Sequence, residues 1–377
     1  MPLSDLLRAE IARRGPIPFR DFMERALYHP EHGYYTSGRA AIGRAGDFFT
    51  NVSVGPLFGK LLAEQFDEMW QHLDCPDAFT IVEQGAHDGR FAHDVITWLY
   101  LLCPILHERL TYLIVEPSPR AQAVQRKTLD TFADPVRWVG SAADLPPFTG
   151  VHFSNELLDA FPVHVVKRAG NEWFERHVEW RDGAFAFVDQ PLRTPELRPC
   201  LAALPELPNG YVTEINLGAL NWIETVAAKL KRGWVLAIDY GFSRAEYYRP
   251  ERTDGTLSAY AAHRRESDPL SRPGELDLTA HVDFTSVAAH GEACGLSIAG
   301  FTDQHHLMVG LSRLYFTDAP PTTPAAQKEL RALQTLMHPH LMGRSFKALC
   351  LSKGLADAPP LAGFHFAADA RRPLGLP

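Results

Sequence analysis

The sequence has few of the features that would place the chain in a membrane, in an oxidising compartment or on a nucleic acid. Its five cysteines are odd in number and include no Cys-x-x-Cys pair, which indicates reduced thiols rather than a disulfide framework. No apolar run approaches the roughly 20 residues that span a bilayer. The N-terminus has neither a signal-peptide apolar core nor the composition of a transit peptide. A net charge of −8 leaves no basic stripe for a nucleic acid. We therefore expect a cytoplasmic protein that binds no nucleic acid and inserts into no membrane.

Metal-binding and triphosphate-binding motifs are missing as well. The 17 histidines include no His-Glu-x-x-His pattern, and no cysteine cluster completes a ligand set for a metal. A Gly-x-x-x-x-Gly-Lys-Ser/Thr phosphate loop is also absent. The sequence therefore predicts no metal centre and no nucleotide site of the P-loop type.

The segment that begins at Phe79 carries the strongest structural signal. Its apolar run ends at Glu83, a turn with glycines at positions 85 and 89 follows, and a helical pattern of apolar residues comes next. A second apolar run ends at Glu116. A strand, a glycine turn and a helix present backbone N–H groups to a nucleotide-like ligand, and an acidic residue at the next strand end binds ribose hydroxyls. The pattern predicts an enzyme that binds a nucleoside-containing cofactor.

Strand and helix patterns alternate through residues 79–155, which predicts an α/β fold with a mostly parallel sheet. Residues 161–213 break this rhythm with the pattern of a β-meander, and residues 302–342 have the pattern of a helical insertion. The expected regions are an N-terminal helical lobe with an active-site loop at 1–75, a main domain at 76–355 that contains both insertions, and a loose C-terminal tail at 356–377.

Two classes of cofactor fit this first half of the fold. Dinucleotides and S-adenosylmethionine (SAM) bind at the same strand ends, but His87 stands where dinucleotide sites often have the glycine that lets the backbone approach a pyrophosphate. SAM has no pyrophosphate, so the histidine harms a SAM site less. The chain also lacks a Tyr-x-x-x-Lys catalytic pair. An NAD(P)-dependent oxidoreductase remains the alternative to a methyltransferase.

A series of short blocks spans most of the chain in a fixed order. The blocks include Gly15-Pro-Ile-Pro-Phe19, Leu27-Tyr28-His29-Pro30, Gly33-Tyr34-Tyr35, Gly46-Asp47-Phe48-Phe49-Thr50, Val115-Glu116-Pro-Ser-Pro119, Ser154-Asn155-Glu156-Leu-Leu-Asp159, Gly255-Thr256-Leu257 and Thr279-Ala-His281-Val-Asp283-Phe284. Together they resemble the MidA family of SAM-dependent methyltransferases, whose mitochondrial members are complex I assembly factors that methylate an arginine. The resemblance implies a class I, Rossmann-like methyltransferase fold, SAM as the cofactor and a protein substrate with an arginine-bearing segment.

The resemblance also implies cofactor contacts at the glycine turn, at the acidic strand end and in two earlier blocks. The candidates are Gly85, Ala86, Gly89, Glu116, Pro117, Thr50 and Phe58. Gly85, Ala86 and Gly89 would pass under the methionine and ribose portions, and Glu116 would hold the ribose. Two positions depart from the family pattern: His87 replaces the usual central glycine, and Ser53 stands where the family usually has glutamate.

The candidate catalytic residues lie in three of the blocks. They are Glu156, Asp159, Asn155, Asp47 and His281. If Glu156 begins a short helix, Asp159 lies one turn further on, and both carboxylates face one pocket. Two carboxylates can orient a guanidinium and accept its proton as the methyl group is transferred. The simpler alternatives are that the pair favours a helix N-terminus, that Asp47 forms a turn and that His281 is structural.

The sequence therefore predicts a methyltransferase that acts on a protein nitrogen, with arginine favoured. A non-catalytic assembly factor that retains the fold is the second alternative, because His87 and Ser53 both depart from the family pattern.

Overall fold

The computed structural model describes residues 1–38, 50–132, 134–261, 264–316, 323–355, 358–367 and 369–377. The chain forms two compact units. One contains Met1–Phe49, Leu158–Asn221 and Arg244–Asp283, and the other contains Thr50–Leu157, Trp222–Ser243 and Phe284–Pro377. We call them the meander unit and the sheet unit. Each unit draws on three separate stretches of sequence, so their borders do not coincide with the expected borders at residues 75 and 355. None of the helices in the described ranges is long and apolar enough to cross a bilayer.

The elements alternate along the chain much as the sequence predicts. The helices are α1 (Leu3–Arg14), α2 (Phe19–Tyr28), α3 (Leu57–His72), α4 (Arg90–Leu102), α5 (Pro104–Arg109), α6 (Pro119–Thr128), α7 (Leu197–Ala202), α8 (Leu217–Lys229), α9 (Arg244–Tyr247), α10 (Phe284–Ala293), α11 (Gln304–Tyr315), α12 (Pro324–Met337) and α13 (Arg371–Leu374). The strands are β1 (Ile17–Pro18), β2 (Phe79–Gln84), β3 (Leu110–Val115), β4 (Val136–Val139), β5 (Phe148–Asn155), β6 (His164–Ala169), β7 (Glu172–Arg181), β8 (Ala184–Pro191), β9 (Val212–Ile215), β10 (Leu230–Phe242), β11 (Ser258–Ala261), β12 (Arg264–Glu266), β13 (Asp277–Thr279), β14 (Val282–Asp283), β15 (Ser297–Asp303) and β16 (Phe346–Lys353).

The sheet unit is built on strands in the order β15-β16-β10-β5-β2-β3-β4. The pairs from β10 to β4 are parallel, and β16 is antiparallel to both of its neighbours. Strand β3 is a nearly continuous apolar run because parallel strands are covered on both faces. This confirms the predicted α/β fold with a mostly parallel sheet.

The meander unit contains an antiparallel sheet in the order β1-β7-β6-β9, with β8 paired to β7. The turn between β7 and β8 is Asp182-Gly183, and both residues have positive φ angles of 52° and 81°. Positive φ at both central residues suits the right-handed twist of a two-residue hairpin. The predicted β-meander is therefore confirmed. Buried apolar residues of α1 and α2 pack against it, among them Leu7, Phe19 and Phe22.

The described part of the C-terminal segment is packed within the sheet unit rather than loose. Leu361, Phe364 and Leu374 are buried. The backbone N–H of Gly363 donates to Oε1 of Gln65 at 2.9 Å, and Thr285 Oγ1 donates to the Leu374 carbonyl at 2.8 Å. An Ala/Pro-rich composition suggests a loose tail, but apolar residues spaced along it supply enough buried surface to hold the segment.

A buried carboxylate lies in the meander unit between two histidines. Glu175 on β7 is 1% exposed, and its Oε1 lies 2.6 Å from His164 Nδ1. His177 Nε2 lies 3.9 Å from the other carboxylate oxygen. Burial alone would raise the pKa of Glu175, but hydrogen bonds and charge from the two histidines outweigh it and lower the pKa to about 2.

We expect Glu175→Gln to remove an acid-dependent part of the stability. The folded pKa is about 2 and the ordinary value is 4.5, so ionised Glu175 stabilises the fold fully above pH 4.5 and progressively less as the pH falls toward 2. Urea unfolding, followed by tryptophan fluorescence, measures the free energy of unfolding at about pH 7 and about pH 3.5. Between these pH values the unmodified protein should lose about 1–2 kcal/mol more of this free energy than Glu175→Gln. The exposed Glu172→Gln on the same strand is the control. Equal losses of this free energy in the unmodified protein and in Glu175→Gln would contradict a lowered pKa of Glu175.

Candidate functional site

The candidate residues of the sheet unit follow three neighbouring parallel strands. In the register, Gln84 at the end of β2 is opposite Val115 of β3 on one side and Ser154 of β5 on the other. The glycine turn, Glu116 and Asn155 therefore come at the same edge of the sheet. The crevice outside the carboxyl ends of parallel strands is where open α/β sheets bind their ligands.

The glycine turn has a left-handed backbone at three positions. Gly85, His87 and Gly89 have φ angles of 86°, 46° and 83°. The N–H of Gly89 donates to the Ala86 carbonyl at 2.8 Å, and Gly89 then forms the N-cap of α4. Gly85 is exposed, whereas Ala86 is buried. Histidine at the central position is compatible with this turn because its side chain is exposed.

Glu116 is tied to the glycine turn by a buried glutamine that the sequence did not single out. Gln125 on α6 is fully buried, and its Nε2 donates to the His87 carbonyl at 3.0 Å and to Glu116 Oε2 at 3.2 Å. Trp138 Nε1 donates to Gln125 Oε1 at 2.9 Å, which fixes the orientation of the amide. The Ser118 N–H donates to Glu116 Oε1 at 2.8 Å. Gln125 thus sets the position of the carboxylate relative to the turn.

Two carboxyl groups near this edge have raised pKa values. Burial raises the pKa of Glu116, while its hydrogen bonds from Ser118 and Gln125 act in the opposite direction. Burial also raises the pKa of Glu83 to about 8, and the hydrogen bond from the Tyr112 hydroxyl opposes this rise. A half-buried carboxylate beside an exposed glycine backbone fits the hydroxyls of a ribose. Pro117 is exposed next to Glu116.

Thr50 begins a short 3-10 helix, Asn51–Val54. Its hydroxyl accepts from the Ser53 N–H at 3.3 Å, and Ser53 Oγ accepts from the Thr50 N–H at 3.2 Å. This is a capping box, in which glutamate most often fills the third position and serine fills it here. The departure at Ser53 therefore keeps a capping contact of the kind that glutamate makes.

The end of β5 carries a chain of polar contacts. Asn51 Nδ2 donates to Asn155 Oδ1 at 2.8 Å, and Asn155 Nδ2 donates to Glu156 Oε1 at 3.0 Å. The backbone N–H of Asn51 is 3.4 Å from the same Glu156 oxygen. Two of the predicted catalytic residues, Asn155 and Glu156, thus lie together with Asn51, which sequence reasoning missed. Asn51 directly follows the block that ends at Thr50, but nothing in the pattern distinguishes its side chain.

The expected helix from Glu156 to Asp159 does not form. Glu156 has φ +53°, a left-handed conformation that cannot begin an α-helix, and bends and turns follow it. The Glu156 N–H donates to the Ile238 carbonyl at 3.0 Å, and the Leu157 N–H donates to Asp239 Oδ2 at 3.0 Å. These contacts with β10 hold the chain in the strained form. A strained non-glycine residue at the end of a central strand is typical of functional sites.

Asp159 belongs to the meander unit, whereas Glu156 belongs to the sheet unit. Asp159 is buried, and its carbonyl accepts from the Ala280 N–H at 2.9 Å. The Tyr28 hydroxyl donates to the neighbouring Ala160 carbonyl at 2.9 Å. Burial raises the pKa of Tyr35, and the charges of Asp277 and Asp159 raise it further. Asp159 is therefore part of a cluster with Asp277 and with the tyrosines of the Leu27–Pro30 and Gly33–Tyr35 blocks.

His281 also lies in the meander unit, where a buried glutamate organises its surroundings. Glu214 on β9 accepts from the N–H groups of Thr256 and Leu257, each at 3.0 Å, and from the Tyr247 hydroxyl at 2.9 Å. Thr256 Oγ1 in turn accepts from the His281 N–H at 3.0 Å. A Cβ at Gly255 would lie 2.1 Å from a Glu214 oxygen, so only glycine fits there. The Gly255-Thr256-Leu257 block is thus a binding site for this carboxylate.

The imidazole of His281 is biased toward its neutral form. Burial lowers the pKa of His281 to about 4, and the nearby charges of Arg252 and Arg265 contribute in the same direction. A neutral imidazole near pH 7 can accept a proton, but the lowered pKa makes His281 a weaker base than an ordinary histidine.

Two candidates are placed elsewhere or lie outside the described residues. Phe58 is fully buried on α3, and its ring centroid is 5.7 Å from that of Phe91, which stacks on Phe153 at 4.5 Å. Phe58 is therefore part of the aromatic core of the sheet unit. Asp47 lies outside the described residues. Within the described residues, no group of three or more His, Cys, Asp or Glu side chains could hold a metal ion.

Comparison with known proteins places this geometry in a family. A family described as "Putative S-adenosyl-L-methionine-dependent methyltransferase" matches residues 61–302. The mitochondrial protein arginine methyltransferase NDUFAF7 homolog of Drosophila melanogaster is 31% identical, with 96% of this chain and 88% of that protein covered. Its Homo sapiens counterpart is 26% identical, with 93% and 84% covered. A crystal structure from Burkholderia thailandensis bound to S-adenosyl-homocysteine has a TM-score of 0.87 and 36% identity, with 98% of this chain and 96% of that chain covered.

These relatives correct one expectation. The sequence predicted a cytoplasmic location, but the curated relatives from fly, frog and human are mitochondrial proteins. The expectation rested on the composition of the chain and of its first residues, which do not determine where a protein functions.

We expect Gln125→Met to weaken the binding of S-adenosylhomocysteine about tenfold, which corresponds to about 1.4 kcal/mol. Methionine preserves the volume but removes the donor to Glu116 and to the His87 carbonyl, so the carboxylate and the turn lose their common partner. Isothermal titration calorimetry measures the change. Gln122→Met on the same helix is the control, because Gln122 donates only to the backbone carbonyl of Glu116. An affinity equal to that of the control would show that Gln125 does not position the site.

The structural and sequence comparisons agree with the strand-end geometry, and they favour a methyltransferase over both the oxidoreductase and the non-catalytic alternatives. The cofactor that follows from them is SAM. The chain belongs to the MidA family of S-adenosyl-L-methionine-dependent methyltransferases.

Proposed function

We propose that this methyltransferase transfers the methyl group of SAM to a guanidinium nitrogen of an arginine in a protein substrate. The curated relatives are named protein arginine methyltransferases, and one of them is 31% identical over nearly the whole chain. The observation that carries the proposal is the Glu156 carboxylate, which two N–H donors hold at the end of β5.

We assign the cofactor to the edge formed by the ends of β2 and β3. When bound, SAM supplies an electrophilic methyl group on a positively charged sulfur. Gly85, Ala86 and Gly89 offer an open backbone turn, and Glu116 with Pro117 follows the neighbouring strand. Thr50 caps the 3-10 helix of the sheet unit. We include it among the cofactor-binding residues because it belongs to one of the family blocks.

The chemical problem is the acceptor. A guanidinium has a pKa above about 12, so its nitrogen must lose a proton as the methyl group is transferred, when a lone pair forms the new N–C bond. Glu156 is an acceptor for that proton, because its carboxylate is fixed by Asn155 and by the Asn51 backbone. A carboxylate also orients a guanidinium in bidentate fashion, which aligns the attacking nitrogen. We propose Asp159 and His281 as the further residues for acceptor contact and proton transfer, and Asp47 as a third.

The direct test uses cell extract that has been treated with the purified protein and isotopically labelled SAM. Mass spectrometry of the digested extract should find labelled methyl groups on arginine in one or a few proteins. Gly85→Val is the cofactor-deficient control, because a branched side chain at φ +86° is strained, and Gly295→Val, at φ +84° with open space around it, is its matched partner. Label on lysine or on small molecules would refute the arginine assignment. Binding of S-adenosylhomocysteine without any labelled product would support the non-catalytic alternative.

We expect Glu156→Gln to lower the turnover rate by about 100-fold or more while the affinity for S-adenosylhomocysteine changes less than about threefold. Glutamine keeps the shape of the side chain and one carbonyl oxygen, but it cannot accept the proton that the arginine releases. Single-turnover kinetics with a methylated-peptide readout measures the rate, and calorimetry measures the affinity. The exposed Glu108→Gln of the same unit is the control. Turnover at the level of this control would exclude Glu156 as the proton acceptor.

A further inference from the structure

Asn51 is the first member of the polar chain that ends at Glu156. Its Nδ2 donates to Asn155 Oδ1 at 2.8 Å, and the amide of Asn155 can therefore present only its own Nδ2 to Glu156, at 3.0 Å. The Asn51 backbone N–H approaches the same Glu156 oxygen at 3.4 Å. Asn51 thus contacts Glu156 directly through its backbone and indirectly through its side chain.

The orientation of the Asn51 amide leaves one of its own atoms unsatisfied. The side chain is fully buried, and its Oδ1 is buried without a hydrogen-bond partner among the described residues. A buried carbonyl oxygen without a partner costs free energy, so such an atom in a folded protein needs an explanation.

The charge of Glu156 supplies that explanation. If both amides were reversed, Asn51 Nδ2 would take the buried position without a partner, and Asn155 Oδ1 would face a carboxylate oxygen, where two acceptors repel each other. The observed orientation gives the carboxylate two N–H donors and places the unsatisfied atom at the far end of the chain. The polarity of the two amides is therefore set for an ionised Glu156.

We propose that Asn51 is a positioning residue for methyl transfer, which fixes the amide of Asn155 and thereby holds Glu156 ionised and aimed at its substrate. This inference rests on the proposed function, in which Glu156 accepts the proton of the acceptor. The 3-10 helix that begins at the Thr50 capping box presents Asn51 to the end of β5. A sequence motif would not have shown this role, because it depends on which way an amide points.

The test is the isosteric substitution Asn51→Asp. A carboxylate at position 51 accepts from Asn155 Nδ2, so the Asn155 amide turns and presents its oxygen to Glu156. The turnover rate should fall about 10- to 100-fold, and the acid limb of its pH profile should move up by about one pH unit, because Glu156 ionises less readily without its donor. The KM for SAM should change less than about threefold.

Asn171→Asp is the matched control, because it makes the same change of side chain at an exposed position of the meander unit. It should keep the wild-type acid limb and a rate within about threefold. Asn51→Ala, which removes the donor without adding a charge, covers the case in which Asn51→Asp does not fold. It should lower the rate while S-adenosylhomocysteine still binds.

Three results would each overturn the positioning role and leave the proposed function intact: an unchanged acid limb in Asn51→Asp, an equal shift of the acid limb in Asn171→Asp, or full activity in Asn51→Ala. A wild-type protein that methylates no arginine would overturn the proposed function and this inference with it. The two failures are therefore distinguishable.

Discussion

The parallel pairing of β2 with β5 on one side and β3 on the other is the constraint on which the site depends. In this register Gln84 lies opposite both Val115 and Ser154, so the chain leaves three adjacent strands at the same level of the sheet. A glycine turn, a carboxylate and an Asn-Glu pair follow these three ends. A one-residue slip of any strand would turn its buried side chains to the opposite face. The register therefore fixes the site and the core together.

Amide side chains fix the positions of the carboxylates at these strand ends. Gln125 joins the glycine turn to Glu116, and Asn51 acts through Asn155 on Glu156. In both cases a neutral amide donates to a carboxylate, and such a donor favours the ionised form. Neither amide needs to contact the reacting atoms, but each limits where a carboxylate can lie. A buried side chain also fixes a loop in the meander unit. There Glu214 accepts from the Thr256 N–H, and Thr256 in turn accepts from the His281 N–H.

The fold was largely predictable from the sequence because apolar periodicity marks the strands and glycines mark the turns between them. The strand-end residues were predictable for the same reason, since their chemistry follows directly from a buried run. The conformation of Glu156 was not, because a left-handed glutamate contradicts local propensity and is stabilised by contacts with β10, which is distant in sequence. Asn51, Gln125 and Glu214 were missed because their roles lie in tertiary hydrogen bonds that no spacing encodes. Phe58 looked like a cofactor contact, but an aromatic residue on an amphipathic helix more often packs in the core.

A crystal structure of the protein with S-adenosylhomocysteine tests the central claim most directly. If the ends of β2 and β3 form the cofactor site, the ribose hydroxyls should lie within about 2.6–3.0 Å of the Glu116 carboxylate, with the ligand against the open face of the Gly85–Gly89 turn. Density for the ligand at any other place, or a Glu116 side chain directed away from it, would contradict the assignment.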